Sequence, residues 1–200
     1  MNNKAQQNLT ELINCLSILE TDTSLLYFSI SKKVEIPLVR ALFEEISFDS
    51  NKHSALLKGV GESIAHIKIN EKECAKHDEV LKRVLKLQKE ILKMKLITSD
   101  DLINLNGELK MLETEMSEEY HVFVQIKTLS ALMNQVNQAY NVNLNDFKKV
   151  FMTIIEDEER HIERLETIKK IVTSKQQSDN APIVRFQNPD AWYQLGSPQS

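Results

Sequence analysis

Apolar positions recur at intervals of three and four along most of the chain. Leu9, Leu12, Leu16, Leu19, Leu26 and Ile30, with Thr23 among them, mark one face of a helix predicted over about residues 5–33. Pro37 suits the first turn of a second helix, which reaches about Val60, where Gly59 and Gly61 weaken it. Val80, Val84, Leu87, Ile91 and Met94 form the stripe of a third helix over about 71–97. Ser99 or Asp100 then resembles an N-cap, because either side chain can accept a bond from a free amide. Leu105, Leu109, Leu112, Met116, Phe123, Ile126 and Met133 mark a long helix over about 101–138. The Asn-rich segment Tyr140–Asn145 reads as a turn, and a last helix follows from about Asp146 to Thr173.

After Lys175 no helical period survives, so residues 176–200 read as an extended tail carrying the only tryptophan, Trp192. The domain boundary expected is therefore 1–175 for a helical bundle and 176–200 for the tail. Two helical hairpins joined by a connection with its own helix is the arrangement predicted. The connecting helix either returns the chain along the bundle, as a crossover requires, or stands out as part of a protruding hairpin.

Composition narrows the class further. Four glycines and four prolines among 200 residues leave few breakers and argue for an all-α protein. A net charge of −4, mixed along the chain, shows no basic face for nucleic acid. No apolar run reaches membrane-spanning length and no signal-peptide core begins the chain, so a cytoplasmic protein is expected. Cys15 and Cys74, far apart and without a CxxC pair, are expected to be reduced thiols on helices.

The candidate chemistry lies in an internal repeat. LFEEISFDSNKHSALL at 42–57 matches VFMTIIEDEERHIERL at 150–165, aligning Phe43 with Phe151, Ile46 with Ile154, Asp49 with Asp157, His53 with His161 and Leu57 with Leu165. Glu158 and His161, three apart, share one helical face and can hold one metal ion. In the first copy the carboxylate position is Ser50. A di-metal carboxylate bundle takes a Glu from each of two helices and Glu-x-x-His from each of the other two. On the first helix the candidate is Glu20, level with Ser50 across a turn near residue 35, with Tyr27 two turns later on the same side. On the long helix after residue 101, Glu119 lies on the apolar stripe and is the first choice, with Glu115, Glu118 and Gln125 as alternatives. The metal set expected is thus Glu20, His53, Glu119, Glu158 and His161. Asp49 and Asp157, each four residues before a His, are expected to orient the imidazoles, and Ser50 to hold a metal-bound water.

These elements, Glu20 with Tyr27, the LFEEI…D-x-x-x-H block at 42–53 and the I-x-D-E-x-x-H block ending at His161, resemble the ferritin-like superfamily and its rubrerythrin-like branch. The resemblance covers about residues 9–62 and 112–170. It implies an antiparallel four-helix bundle, here with an added connecting helix and tail, around a di-iron or di-manganese centre. It also implies an oxidase, peroxide-scavenging or iron-handling role, a redox partner protein and homo-oligomerisation. Three departures bear on that role: Ser50 replaces a carboxylate, no cysteine-rich rubredoxin domain is present, and an extra helix joins the halves. The lost carboxylate predicts an asymmetric or mononuclear site, for iron first and manganese or zinc next. The competing expectation is a metal-free helical bundle acting as an interaction module through the Val80–Met94 stripe and the tail residues Val184, Phe186, Trp192 and Tyr193.

Overall fold

The computed structural model describes residues 3–64, 66, 69–125 and 145–180. Among these residues there are six helices: α1 (Asn3–Ser31), α2 (Pro37–Ile64), α3 (Glu71–Cys74), α4 (Glu79–Lys93), α5 (Ser99–Gln125) and α6 (Asn145–Asn180). No strand occurs among the described residues, and no helix among them is long and apolar enough to cross a membrane. The turn expected at Tyr140–Asn145 and the end of the long helix beyond residue 125 lie outside the described residues, as do the tail residues Val184, Phe186, Trp192 and Tyr193.

Four long helices enclose the core, and side-chain pairs give their directions. Ser17 meets Ser54 and Ser24 meets Ser47, so α1 and α2 form an antiparallel hairpin. Thr23 meets Met116, and Tyr120 meets Glu20, so α5 runs antiparallel to α1. Asp100, Asn106 and Glu113 of α5 meet Gln176, Leu165 and His161 of α6, antiparallel again. Arg164 grips Glu45 with bonds of 3.0–3.1 Å, closing α6 onto α2. The inward faces supply Ile13, Leu19, Leu26, Phe43, Ile46, Leu57, Leu112, Met116, Phe151, Ile154 and Leu165, all essentially inaccessible. Full burial of one such side chain contributes about 1.5–3 kcal/mol, so this interior drives the helices together. Leu12, expected on the same stripe, is instead 48 % exposed, at the edge of a groove.

The connection resolves the topology. The continuous helix expected over 71–97 is two pieces. Asn70 and Glu73 form a reciprocal capping box at the start of α3. The Asp78 side chain accepts from Leu81 N at 2.8 Å and restarts the chain as α4. Gln88 bonds to the Asp22 carbonyl, and Lys33 reaches the Leu92 carbonyl, so α4 runs parallel to α1. It is therefore a crossover along the bundle rather than a protruding hairpin. Its stripe, Val80, Leu81, Val84, Leu87 and Ile91, is buried rather than offered to a partner.

Four further expectations are corrected. Cys15 and Cys74 are not free thiols but form a disulfide with Cα atoms 5.4 Å apart, tying α3 to α1. Sequence spacing hid this, because the crossover topology that makes residue 74 a neighbour of residue 15 has no local signature. Thr98 caps α5, one residue before the expected Ser99: its hydroxyl accepts from Asp101 N at 3.2 Å while Asp101 accepts from Thr98 N at 2.9 Å. And α6 continues through Lys175 to Asn180, so the expected boundary at 175 falls within a helix. Gly59 and Gly61 do not end α2. Gly61 sits where α1 comes closest, and a Cβ there would meet Asn14 Oδ1 at 2.5 Å.

Candidate metal centre

Glu20 of α1, His53 of α2, Glu113 of α5, and Glu158 and His161 of α6 meet in the interior, each at most 1 % exposed. They form two triads, Glu20–His53–Glu158 and Glu113–Glu158–His161, within each of which the ligand-type atoms lie within 4.8 Å of one another. Glu158 belongs to both. His53 Nδ1 is 3.4 Å from Glu20 Oε1 and 3.2 Å from Glu158 Oε1. His161 Nδ1 is 3.0 Å from Glu113 Oε2 and 3.7 Å from Glu158 Oε1. The two rings lie 6.0 Å apart between centroids.

Four of the five expected residues are therefore together; Glu119 is not. Glu119 points from α5 into a groove lined by Leu12, Leu16, Cys74 and Asp78. Glu115 pairs with Arg83 on the same outer side, Glu118 is exposed, and the Gln125 side chain lies outside the described residues. Glu113 takes the place expected for Glu119, because α5 registers against α1 rather than by distance from the turn before α6. A signal for it was present. LETDTSLLY at 19–27 matches LETEMSEEY at 112–120, pairing Glu20 with Glu113 and Tyr27 with Tyr120.

The surrounding contacts follow that internal two-fold relation. The Tyr27 hydroxyl donates to Glu113, and the Tyr120 hydroxyl donates to Glu20 at 2.6 Å. Each tyrosine thus steers the carboxylate of the other hairpin. Burial, then the charge of the facing glutamate, raises both phenols well above their ordinary range and keeps them as neutral donors. The aspartates also act across the bundle. Asp157 accepts from His53 Nε2 at 2.8 Å, and Asp49 Oδ2 lies 3.5 Å from His161 Nε2. Each aspartate thus faces the imidazole of the opposite helix rather than the one four residues on in its own; Asp157 hydrogen-bonds its ring, whereas His161 Nε2 is left without a hydrogen bond. Lys52 bridges the two, at 2.6 Å from Asp49 and 2.7 Å from Asp157. With Nε2–H held by Asp157, His53 turns its Nδ1 toward Glu20 and Glu158, and only on losing a proton would that nitrogen offer a lone pair to a metal ion.

Without an added cation the cluster balances its charge with protons. Burial opposes a charge on His53, but the close carboxylates of Glu158 and Glu20 overcome it and raise the ring to about 10. Burial likewise opposes a charge on His161, and Glu113, Asp49 and Glu158 raise it. Glu158 is pushed up to about 8, first by burial and then by the charges of Glu113 and Glu20. Burial opposes ionisation of Glu113 too, but His161 prevails and lowers it. Asp49 is held below its ordinary value chiefly by His161, against burial and with help from Lys52.

The polar atoms left over mark what the site is short of. Both oxygens of Glu158, Glu20 Oε2, His53 Nδ1 and Ser50 Oγ are buried and make no hydrogen bond. Such atoms cost stability unless something satisfies them. Carboxylate oxygens with imidazole nitrogens are a donor set for iron, manganese or zinc. Comparison with known protein families, with curated proteins and with solved structures finds no match for this chain.

Proposed function

We propose that this protein is a ferritin-like carboxylate–histidine metal-binding protein with a two-ion site for iron or manganese. The observation that supports this reading is Glu158: fully buried, shared by two triads, and with neither oxygen hydrogen-bonded. A pair of divalent ions would satisfy both oxygens at once. Glu20, His53 and Glu158 would hold one ion, and Glu113, Glu158 and His161 the other. Such ions supply electron transfer and oxygen or peroxide activation when bound. The chain's own part is to position them. Tyr27 and Tyr120 aim the terminal carboxylates, Asp157 sets the His53 tautomer, and the apolar layers of Phe43, Phe151, Ile46 and Ile154 keep bulk water out. Ser50, at the place that corresponds to Glu158 under the repeat, would leave the centre one carboxylate short on the α2 side. The asymmetry expected from the sequence then lies between the α2 and α6 sides of the pair.

Redox handling of iron, oxygen or peroxide is the role we assign, with the electrons supplied by a separate partner protein. The Cys15–Cys74 disulfide argues for an oxidising compartment over the cytoplasm expected from the sequence. The interaction-module reading loses one of its two surfaces, because the α4 stripe is buried.

Elemental analysis of protein expressed with iron and manganese supplements tests the proposal. The expected result is close to two ions per chain, lost in His161→Ala and in Glu113→Ala and retained in Glu119→Ala. Metal-free wild-type protein would sink it.

A further inference from the structure

We infer that the Ser50 position of the candidate centre binds a small carboxylate monoanion, formate being the smallest member of the class. The inference rests on the two-ion reading and names the ligand that completes it.

Three observations lead there. Ser50 occupies, under the internal repeat, the place that Glu158 occupies in the other half. Its Oγ is fully buried and makes no hydrogen bond. A buried hydroxyl without a partner is costly, so an acceptor is wanted there. Ser50 also lies one turn before His53, on the same face of α2, which turns it toward the triads.

The chemistry of the difference sets the ligand's size. A glutamate side chain differs from serine by one carboxylate group, with Oγ standing where Cγ would be. A formate-sized anion therefore restores the missing atoms, and the Ser50 hydroxyl donates to one of its oxygens. Charge points the same way. Glu20, Glu113 and Glu158 provide three negative charges and the two imidazoles bind as neutral ligands. Two divalent ions would leave the centre with one net positive charge, which one monoanion offsets. Lys52 and Arg160, on the outward side of α2 and α6 around Asp157, favour an approaching anion over a neutral ligand.

In a resident protein this position would be filled by Glu and closed to exogenous ligands. Serine keeps it exchangeable. The reading thus distinguishes a fixed four-carboxylate centre from one whose fourth carboxylate arrives from solution.

The test uses full-length protein loaded with Co2+ and titrated with sodium formate, followed by calorimetry and by visible absorption of the cobalt. Wild type is expected to bind formate saturably, with a change in the cobalt spectrum, while metal-free protein binds none. Ser50→Ala is expected to weaken formate about tenfold or more, the worth of a hydrogen bond to a charged acceptor. Ser50→Glu is expected to retain Co2+ and to lose formate binding. Formate affinity unchanged in Ser50→Ala overturns the inference even if Ser50→Glu does not fold, as does a wild-type protein that binds Co2+ but not formate. Failure to bind Co2+ at all overturns both this inference and the metal-site reading.

Discussion

His53 of α2 is held by Asp157 of α6, 2.8 Å across the bundle, while the reciprocal pair, His161 and Asp49, is open to 3.5 Å. The two halves of the centre are thus supported unequally. Asp157→Asn should weaken metal binding about 10–100-fold, the usual effect of losing a carboxylate behind a histidine ligand. Asp49→Asn should weaken it less. Competition of each variant against a coloured chelator measures both, and equal losses would contradict the unequal support seen here.

Under the proposed metal reading, an ion and protons would compete for the same atoms. His53 stays protonated up to about 10 and Glu158 up to about 8, so ion binding near neutrality must expel protons. Affinity should rise between pH 6 and 8, with more than one proton released per chain. Calorimetry in buffers of different ionisation enthalpy counts them; zero release would refute the proton-filled cluster.

The same groups set the stability of the metal-free protein. Both folded-state values lie above the ordinary ones, so their stabilisation is complete at low pH. It fades as pH rises through about 8 for Glu158 and about 10 for His53. Glu113 and Asp157 are lowered, and their contributions are lost in acid instead. Melting temperature without metal should peak in mildly acidic solution and fall toward pH 9, and excess Mn2+ should flatten the alkaline limb. A metal-free melting point that climbs steadily to pH 9 would be the contrary result.

Glu119 provides an independent check on the site assignment. Burial, then the charge of Asp78, raises it to about 7. A raised carboxyl stabilises the fold below its ordinary value and loses that stabilisation as pH climbs through about 7. Glu119→Gln should therefore stabilise the protein at pH 8 relative to pH 5 and leave metal content unchanged. Denaturant melts at pH 5 and pH 8 read the first effect and elemental analysis the second.

The disulfide closes a long loop, since its cysteines are 59 positions apart. Chain-entropy arguments assign such a closure about 4 kcal/mol, or about 10 °C in a protein of this size. Cys15→Ser should lower the melting temperature by about that amount, with reductant giving the same fall in wild type and none in the variant. A reductant-insensitive wild type would show that the pair contributes nothing.

The helices were legible because their apolar positions repeat locally: α1 and α2 begin and end within a few residues of where periodicity places them. Glu20, His53, Glu158 and His161 were legible because the α2 and α6 motifs repeat and because Glu20 precedes a tyrosine at a fixed distance. Glu113 was missed although the same Glu-to-Tyr spacing recurs in α5. Counting levels from a turn near residue 140 led to Glu119, whereas the pairs Tyr27–Glu113 and Tyr120–Glu20 show that α1 sets the register. The Cys15–Cys74 bond and the path of α4 depend on how distant segments dock, which no local pattern records.

The two-fold relation between the hairpins has a consequence for how this molecule can vary. Were each hairpin a separate, identical subunit, any substitution would enter the centre twice. A serine at the position shared by residues 50 and 158 would then appear on both sides, and so would a glutamate. Joining the hairpins through α3 and α4 lets residues 50 and 158 differ. A cluster with a carboxylate on one side and a hydroxyl on the other is available only to a single chain that carries both copies.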